Sequence, residues 1–155
     1  DYSFIKARLV LKEMVEVGSL RLIESNLVTD TVGLYIGYSK NTIKATGGTR
    51  KLTNYTNIYS ELLKAFLEIY DKTTDADIPI RRIGVNFANV IKAESVQLSL
   101  FIDQERIDEE RKLELAMCSI KNKMGKNAII RGMDLEDGAT TIMRNKLIGG
   151  HNSGE

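Results

Sequence analysis

TVGLYIGYSK, Thr31 to Lys40, alternates with a period of two: Val32, Leu34, Ile36 and Tyr38 point one way, and Thr31, Gly33, Tyr35, Gly37 and Ser39 the other. A strand with one apolar face and one small, polar face belongs to a sheet covered on one side and open on the other. Upstream, Phe4, Ala7, Leu11, Met14, Gly18 and Leu22 recur at three and four, which predicts a core-facing helix from Ser3, its N-cap, to about Asn26. Downstream, ATGG signals a turn and TRKL a second strand, and NYTNIYSELLKAFLEIYDK reads as a second helix with Ile58, Leu62, Ala65 or Phe66, and Ile69 inward. After the loop TTDAD, Ile83, Val85 and Phe87 alternate with Arg82, Gly84 and Asn86 in a third strand, with Pro79 at its start. The pattern predicts an α+β fold: an antiparallel or mixed sheet backed by two helices on one face.

Beyond Ile91 the pattern changes. QLSLF precedes a long helix with Leu113, Ala116 or Met117, Ile120 and Met124 as its stripe, Asp103 as cap, Ile102 and Ile107 as a staple, and Gly125 as its closing glycine. KNAIIRG reads as a short strand, and GATTIMRNKLIGGHNSGE has no period and is expected to be mobile unless a partner holds it. The expected organisation is a sheet-and-helix domain over 1–92, a linker over 93–102, and a helix–strand annex with a tail over 103–155.

With 155 residues, 43% hydrophobic and 28% charged, the chain can bury one well-formed core. Cys118 and His151 each stand alone, which leaves no disulfide framework and no zinc spacing, and a reducing, cytosolic setting fits best. Apolar runs fall short of the roughly 20 residues that span a bilayer, and no secretory leader opens the chain. The chain starts at Asp1 without a methionine and reads as a fragment or a processed chain.

The net charge is only +1, so the arrangement of charges matters more than their sum. Lys40, Lys44, Arg50 and Lys51 lie in a stretch without acids, as do Arg81, Arg82 and Lys92, and again Lys121, Lys123, Lys126 and Arg131. If the two strand-borne sets share the open sheet face, they present cations beside glycines, as phosphate binding requires. The plainer reading is a solvated face whose lysines discourage edge pairing. QLSLF, beside the charged run DQERIDEERK, needs Leu98, Leu100 and Phe101 buried, either in this chain's core or in another protein. Other chemistry is thin: Asp75 and Asp77 read as a solvated turn before a magnesium site, MGKN as a helix end before a phosphate loop, and Cys118 as a buried bystander.

In order, DYSFIKARLVLKEMVEVGSLRL, TVGLYIGYSK, TRKLTNYTNIY, IPIRRIGVNFANV, QLSLF, MGKNAIIRG and GATTIMRNKLIGGH resemble the C-terminal portion of Y-family translesion DNA polymerases, in the UmuC-like branch of Gram-positive bacteria. The resemblance implies a little finger, an accessory domain whose four-stranded sheet lies along DNA, with Lys40, Lys44, Arg50, Lys51, Arg81 and Arg82 toward the backbone. It also implies that Gln97, Leu98, Ser99, Leu100 and Phe101 form the pentapeptide that hooks onto the bacterial sliding clamp, Gln97 in a polar pocket and Leu100 and Phe101 in an apolar one.

On this resemblance the palm carboxylates lie upstream of Asp1, so this chain has no catalytic residues, no metal ligands and no cofactor; magnesium is expected only in the palm. The implied setting is DNA repair and the SOS response in a cytoplasmic, nucleoid-associated protein with no membrane partner. The first strand of the little finger is expected to be missing, which invites self-association, or pairing of KNAIIR in its place. The first helix is also less basic over EVGSLRLIES than the family leads one to expect. A reading of another class is a free-standing ferredoxin-like interaction or RNA-binding module, for which only Tyr35 offers a stacking surface.

Overall fold

A computed structural model describes residues 1–39, 43–96 and 104–147. The elements run α1 (Phe4–Glu24), β1 (Leu27–Tyr38), β2 (Thr46–Thr56), α2 (Tyr59–Thr73), β3 (Ile80–Ala88), β4 (Ile91–Lys92), α3 (Gln104–Met124) and α4 (Thr141–Arg144), with 3-10 turns at Ala93–Ser95 and Gly132–Leu135. The fold is α+β, with a four-stranded antiparallel sheet in the order β2-β1-β3 and β4 paired to the start of β1. Beside the outer edge of β3, Tyr2 forms an isolated antiparallel bridge with Ile80.

The alternation of β1 builds the core. Val32, Leu34, Ile36 and Tyr38 are all buried, and the strand register sets Phe87, Val85 and Ile83 beside the first three of them on the same face. Over this face lie Ala7, Leu11, Val15 and Leu22 of α1, and Leu62, Ala65, Phe66, Ile69 and Tyr70 of α2. Arg8 of α1 grips Asp71 of α2 with two bonds of 2.9 Å, and its guanidinium holds the Asp71 carboxyl below the usual range. Ser3 caps α1 as expected: its hydroxyl accepts from the Lys6 N–H. Gly125 closes α3 with φ +104°, also as expected.

Several boundaries differ from the sequence reading. β2 continues to Thr56, so α2 starts at Tyr59 and not at Asn54; Ile58 is still extended (φ −78°, ψ 124°), and the side-chain amide of Asn57 donates to the Leu27 carbonyl at 3.0 Å. KNAIIRG is not a strand: Ala128 turns back onto Gly125, and the chain passes into the turn at Gly132–Leu135. It pairs with no strand among the described residues, so it does not stand in for the first strand expected to be missing.

The expected stripe on α3 is rotated. Leu113 and Met124 are exposed, while Ile107, Glu114, Met117 and Cys118 are buried. The buried line carries a glutamate because α2 has no side-chain cap of its own. Glu114 accepts from the Tyr59 N–H at 3.3 Å, and Glu110 accepts from both the N–H and the hydroxyl of Ser60 at 3.0 and 2.7 Å. Two carboxylates from another helix thus satisfy the open N–H groups and face the positive end of the α2 dipole.

The region after α3 is also held, contrary to the expectation of a mobile tail as far as Leu147. Glu13, fully buried on α1, accepts from Thr140 N–H, Thr140 hydroxyl and Thr141 N–H at 2.7–3.0 Å, anchoring the start of α4. Arg131 donates to Glu16 at 2.7 Å, lies 3.8 Å from Glu114, and stacks 4.4 Å above the Tyr59 ring. The last segment of the sequence, 148–155, and the cap and staple expected at Ile102 and Asp103 lie outside the described residues.

This packing has consequences for a glycine and for a buried acid. At Gly47, φ is +116°, and a Cβ would lie 2.0 Å from the carbonyl oxygen of Leu34 across the strand pair. Gly47→Ala therefore combines left-handed strain with a backbone clash and should lower stability by about 2–4 kcal/mol, read from the midpoint of urea unfolding. The acid is Glu114, which burial, reinforced by neighbouring Glu110, pushes up to about 7; burial also raises Glu16. Folding then favours the protonated acids, so stability should fall as pH rises from about 5 to about 7.5. Glu114→Gln, neutral throughout, should flatten that fall in the same unfolding measurement.

Candidate nucleic-acid interface

Both α1 and α2 cover one face of the sheet, so the other face is the one that can meet a large ligand. Strand register determines which side chains reach it. Opposite Thr31, Gly33 and Tyr35 of β1 stand Lys51, Thr49 and Gly47 of β2; opposite Gly33, Tyr35 and Gly37 stand Asn86, Gly84 and Arg82 of β3. Paired residues share a face. The open face is therefore a band of glycines and small polar residues with Lys51 on one flank and Arg82 on the other.

Tyr35 rises from its middle, 45% exposed. A Cβ at Gly37 would lie 3.2 Å from the Tyr35 ring, and one at Gly84 would lie 3.4 Å from the Tyr35 Cβ. The ring thus rests over bare backbone, leaving a shallow depression between Gly33, Tyr35, Thr49, Gly84 and Asn86. Such a surface lets a ligand approach the main chain closely.

The six cations proposed for backbone contact do not share one surface. Lys51 and Arg82 are exposed on the open face. Arg81 is exposed beside Arg82, where the pairing register shifts between Gly37 and Tyr38 and breaks the strict alternation. Lys44 is exposed in the connection before β2. Arg50 is a correction: it pairs with Val32, so it points to the helix side, where it forms an ion pair with Glu68 of α2. Neighbours on a regular strand point to opposite faces, so Arg50 and Lys51 cannot both serve one surface. Lys40 lies outside the described residues, as do Gln97, Leu98, Ser99, Leu100 and Phe101.

One acid sits at the rim. Asp30 accepts from Asn89 and Thr31, each at 2.8 Å, and these hydrogen bonds hold its carboxyl below the usual range; Lys51 is 4.0 Å away. Thr49 and Asn86 join the face through register alone and were missed by a reading of charge. Asp75 accepts from the N–H of Asp77 at 3.0 Å, which makes the pair a turn. Cys118 is buried against the Leu20 carbonyl, and burial pushes its thiol up, away from the reactive thiolate. Among the described residues no three His, Cys, Asp or Glu side chains come together to hold a metal ion.

The model of the impB/mucB/samB family C-terminal domain matches residues 2–100, from the start of α1 through the sheet. The chain belongs to that family. The matched region is the C-terminal one of the Y-family, UmuC-like kind found in Gram-positive bacteria. The chain is similar to DNA polymerase IV 2 of Halalkalibacterium halodurans, 33% identical over 155 residues that cover 97% of this chain and 37% of that protein. UvrX of Bacillus subtilis, a protein named for UV-damage repair, is 32% identical over 148 residues, 93% of this chain and 34% of its own length. DNA polymerase IV 2 of Bacillus subtilis is 34% identical over 100 residues, 64% of this chain and 22% of that protein. The chain thus spans about a third of the first two relatives. No solved structure matches it. Among the described residues no helix is long and apolar enough to cross a membrane.

Proposed function

We propose that this Y-family region is the non-catalytic, DNA-gripping and clamp-tethering part of an error-prone translesion polymerase acting in DNA repair, in the cytoplasm at the nucleoid and under SOS control. The observation that carries the DNA reading is the open sheet face: Lys51 and Arg82 flank a band of glycines with Tyr35 at its centre, Arg81 is exposed at the register shift beside Arg82, and α1 and α2 cover the other face. Cations at the flanks of a shallow, backbone-accessible strip suit the phosphates of a duplex and read no sequence, because nothing on the strip presents an ordered set of base-edge contacts. Nucleotide addition and its magnesium belong, in this reading, to palm carboxylates outside this chain. The outer edge of β3, beyond the Tyr2 bridge, is where a further strand or a second copy pairs.

The clamp reading rests on sequence. Gln97–Phe101 comes just after the turn Ala93–Ser95, which leaves the sheet at β4, so the motif is joined to the gripping domain by a short link. An extended pentapeptide with two apolar anchors can enter a preformed groove while its charged neighbours stay hydrated.

Duplex binding by the chain should be weak, indifferent to sequence and strongly salt dependent, with a log–log slope of about −0.9 per phosphate neutralised. Lys51→Ala with Arg81→Ala and Arg82→Ala should flatten that slope in fluorescence anisotropy titrations, whereas Arg50→Ala should leave it unchanged. A marked preference for one base sequence, or binding that ignores salt, counts against the reading. For the clamp, Leu100→Ala with Phe101→Ala should remove at least about 2 kcal/mol of affinity in a calorimetric titration against a bacterial sliding clamp, without changing the thermal unfolding of the chain. Equal binding by the two proteins refutes the tether.

A further inference from the structure

The third basic set in the sequence, around Lys121, has no part in the sheet face. Two of its members, Lys121 and Lys126, line a cleft of about 620 Å³ on the far side of α1, between α1, α3 and α4. Four cations converge there from separate parts of the chain: Arg21 on α1, Lys121 on α3, Lys126 just after it and Arg144 on α4. Among the described residues none of the four lies within ion-pair distance of a carboxylate. One acid, Glu24, shares the lining, and its carboxylate already accepts from Asn122 at 2.9 Å. The cleft therefore carries a net charge of about +3 on these groups, against +1 for the whole chain.

Its walls are fixed. Glu13 anchors the first residues of α4 by the buried bonds to Thr140 and Thr141. Asn127 donates to the Ile142 carbonyl at 3.2 Å and accepts from Asn145 at 2.7 Å, which ties the turn bearing Lys126 to the helix bearing Arg144. The bond from Asn122 to Glu24 ties α3 to α1. Val17, Leu20 and Leu147 supply apolar lining between the charges. Holding four like charges together costs free energy unless an anion neutralises them.

We propose that this cleft is a second nucleic-acid site, which takes the sugar–phosphate backbone of single-stranded DNA; the proposal rests on the DNA reading of the sheet face. Guanidinium and ammonium groups match phosphate oxygens, and apolar lining accommodates unpaired bases. A concave cleft with charges on several walls suits a single strand, whereas the flat sheet face suits a duplex. The two surfaces lie on opposite sides of α1, whose Ala7, Leu11 and Val15 face the core while Val17, Leu20 and Arg21 line the cleft. One chain can then hold duplex on one side and a displaced or template strand on the other.

The test compares fluorescein-labelled oligo-dT with a labelled hairpin duplex in anisotropy titrations of the whole chain. Lys121→Ala with Lys126→Ala and Arg144→Ala should weaken oligo-dT binding by about tenfold and flatten its log–log salt slope by about 0.7 per lost phosphate contact, with duplex affinity nearly unchanged. Replacing the two lysines by arginine and Arg144 by lysine should keep oligo-dT binding. The Lys51, Arg81 and Arg82 variant should show the opposite pattern, so loss of the sheet reading and loss of the cleft reading are separable. Undiminished oligo-dT binding by the folded alanine variant overturns the proposal. So does displacement of oligo-dT by poly-glutamate at matched charge concentration, which would assign the cleft to an acidic protein segment.

Discussion

β1 is hydrogen-bonded to each of the other three strands, and both faces of the domain depend on its alternation. Its apolar side chains nucleate the packing of α1 and α2, and its small ones keep the opposite face open. A shift of one residue in its pairing would exchange the two sets, burying Tyr35 and the glycines and exposing Val32, Leu34 and Ile36. The loss of that burial, a few kcal/mol for each large side chain, makes the observed register the one the core enforces.

The second organising feature is electrostatic, and it lies in the interior. Glu13, Glu16, Glu114 and Asp134 are buried where α1, α2, α3 and the turn at Gly132–Leu135 meet, with Arg131 as the guanidinium among them. Burial of so many acids is tolerable because nearly every carboxylate receives N–H groups or the guanidinium: Glu13 from the start of α4, Glu114 from α2, and Asp134 from the Arg131 N–H at 2.8 Å. Glu114 and Asp134 each retain one buried oxygen without a hydrogen-bond partner among the described residues, and this is the least satisfied part of the cluster. The elevated proton affinity of Glu114 has the same origin. Through these bonds the chain from Arg131 to α4 is part of the folded body and not an appendage.

These two features distribute charge to the surface. Acids placed inward and at helix N-termini leave exposed cations on the open sheet face and around the cleft behind α1, which explains how a chain of net charge +1 can present two basic surfaces. The family match at residues 2–100 covers the sheet, whereas the cleft is built largely from α3 and α4, beyond the matched residues.

The alternation of Val32 to Tyr38 and of Ile83 to Phe87, the inward line of α2, the Ser3 cap and the Gly125 terminus were all legible in the sequence by itself. Each is a local property, set by side-chain periodicity or by the needs of a helix end within a few residues. The partners of the buried glutamates on α1 and α3 were not legible: Glu13 answers to residues 127 positions away and Glu114 to residues 55 away. Nor was the separation of Arg50 from Lys51, since charge counting along a strand ignores which neighbour stands opposite. Burial of a charge is decided by the donors that tertiary packing brings to it, and the face of a strand residue by register. Both are long-range quantities, so the tertiary structure alone could decide them.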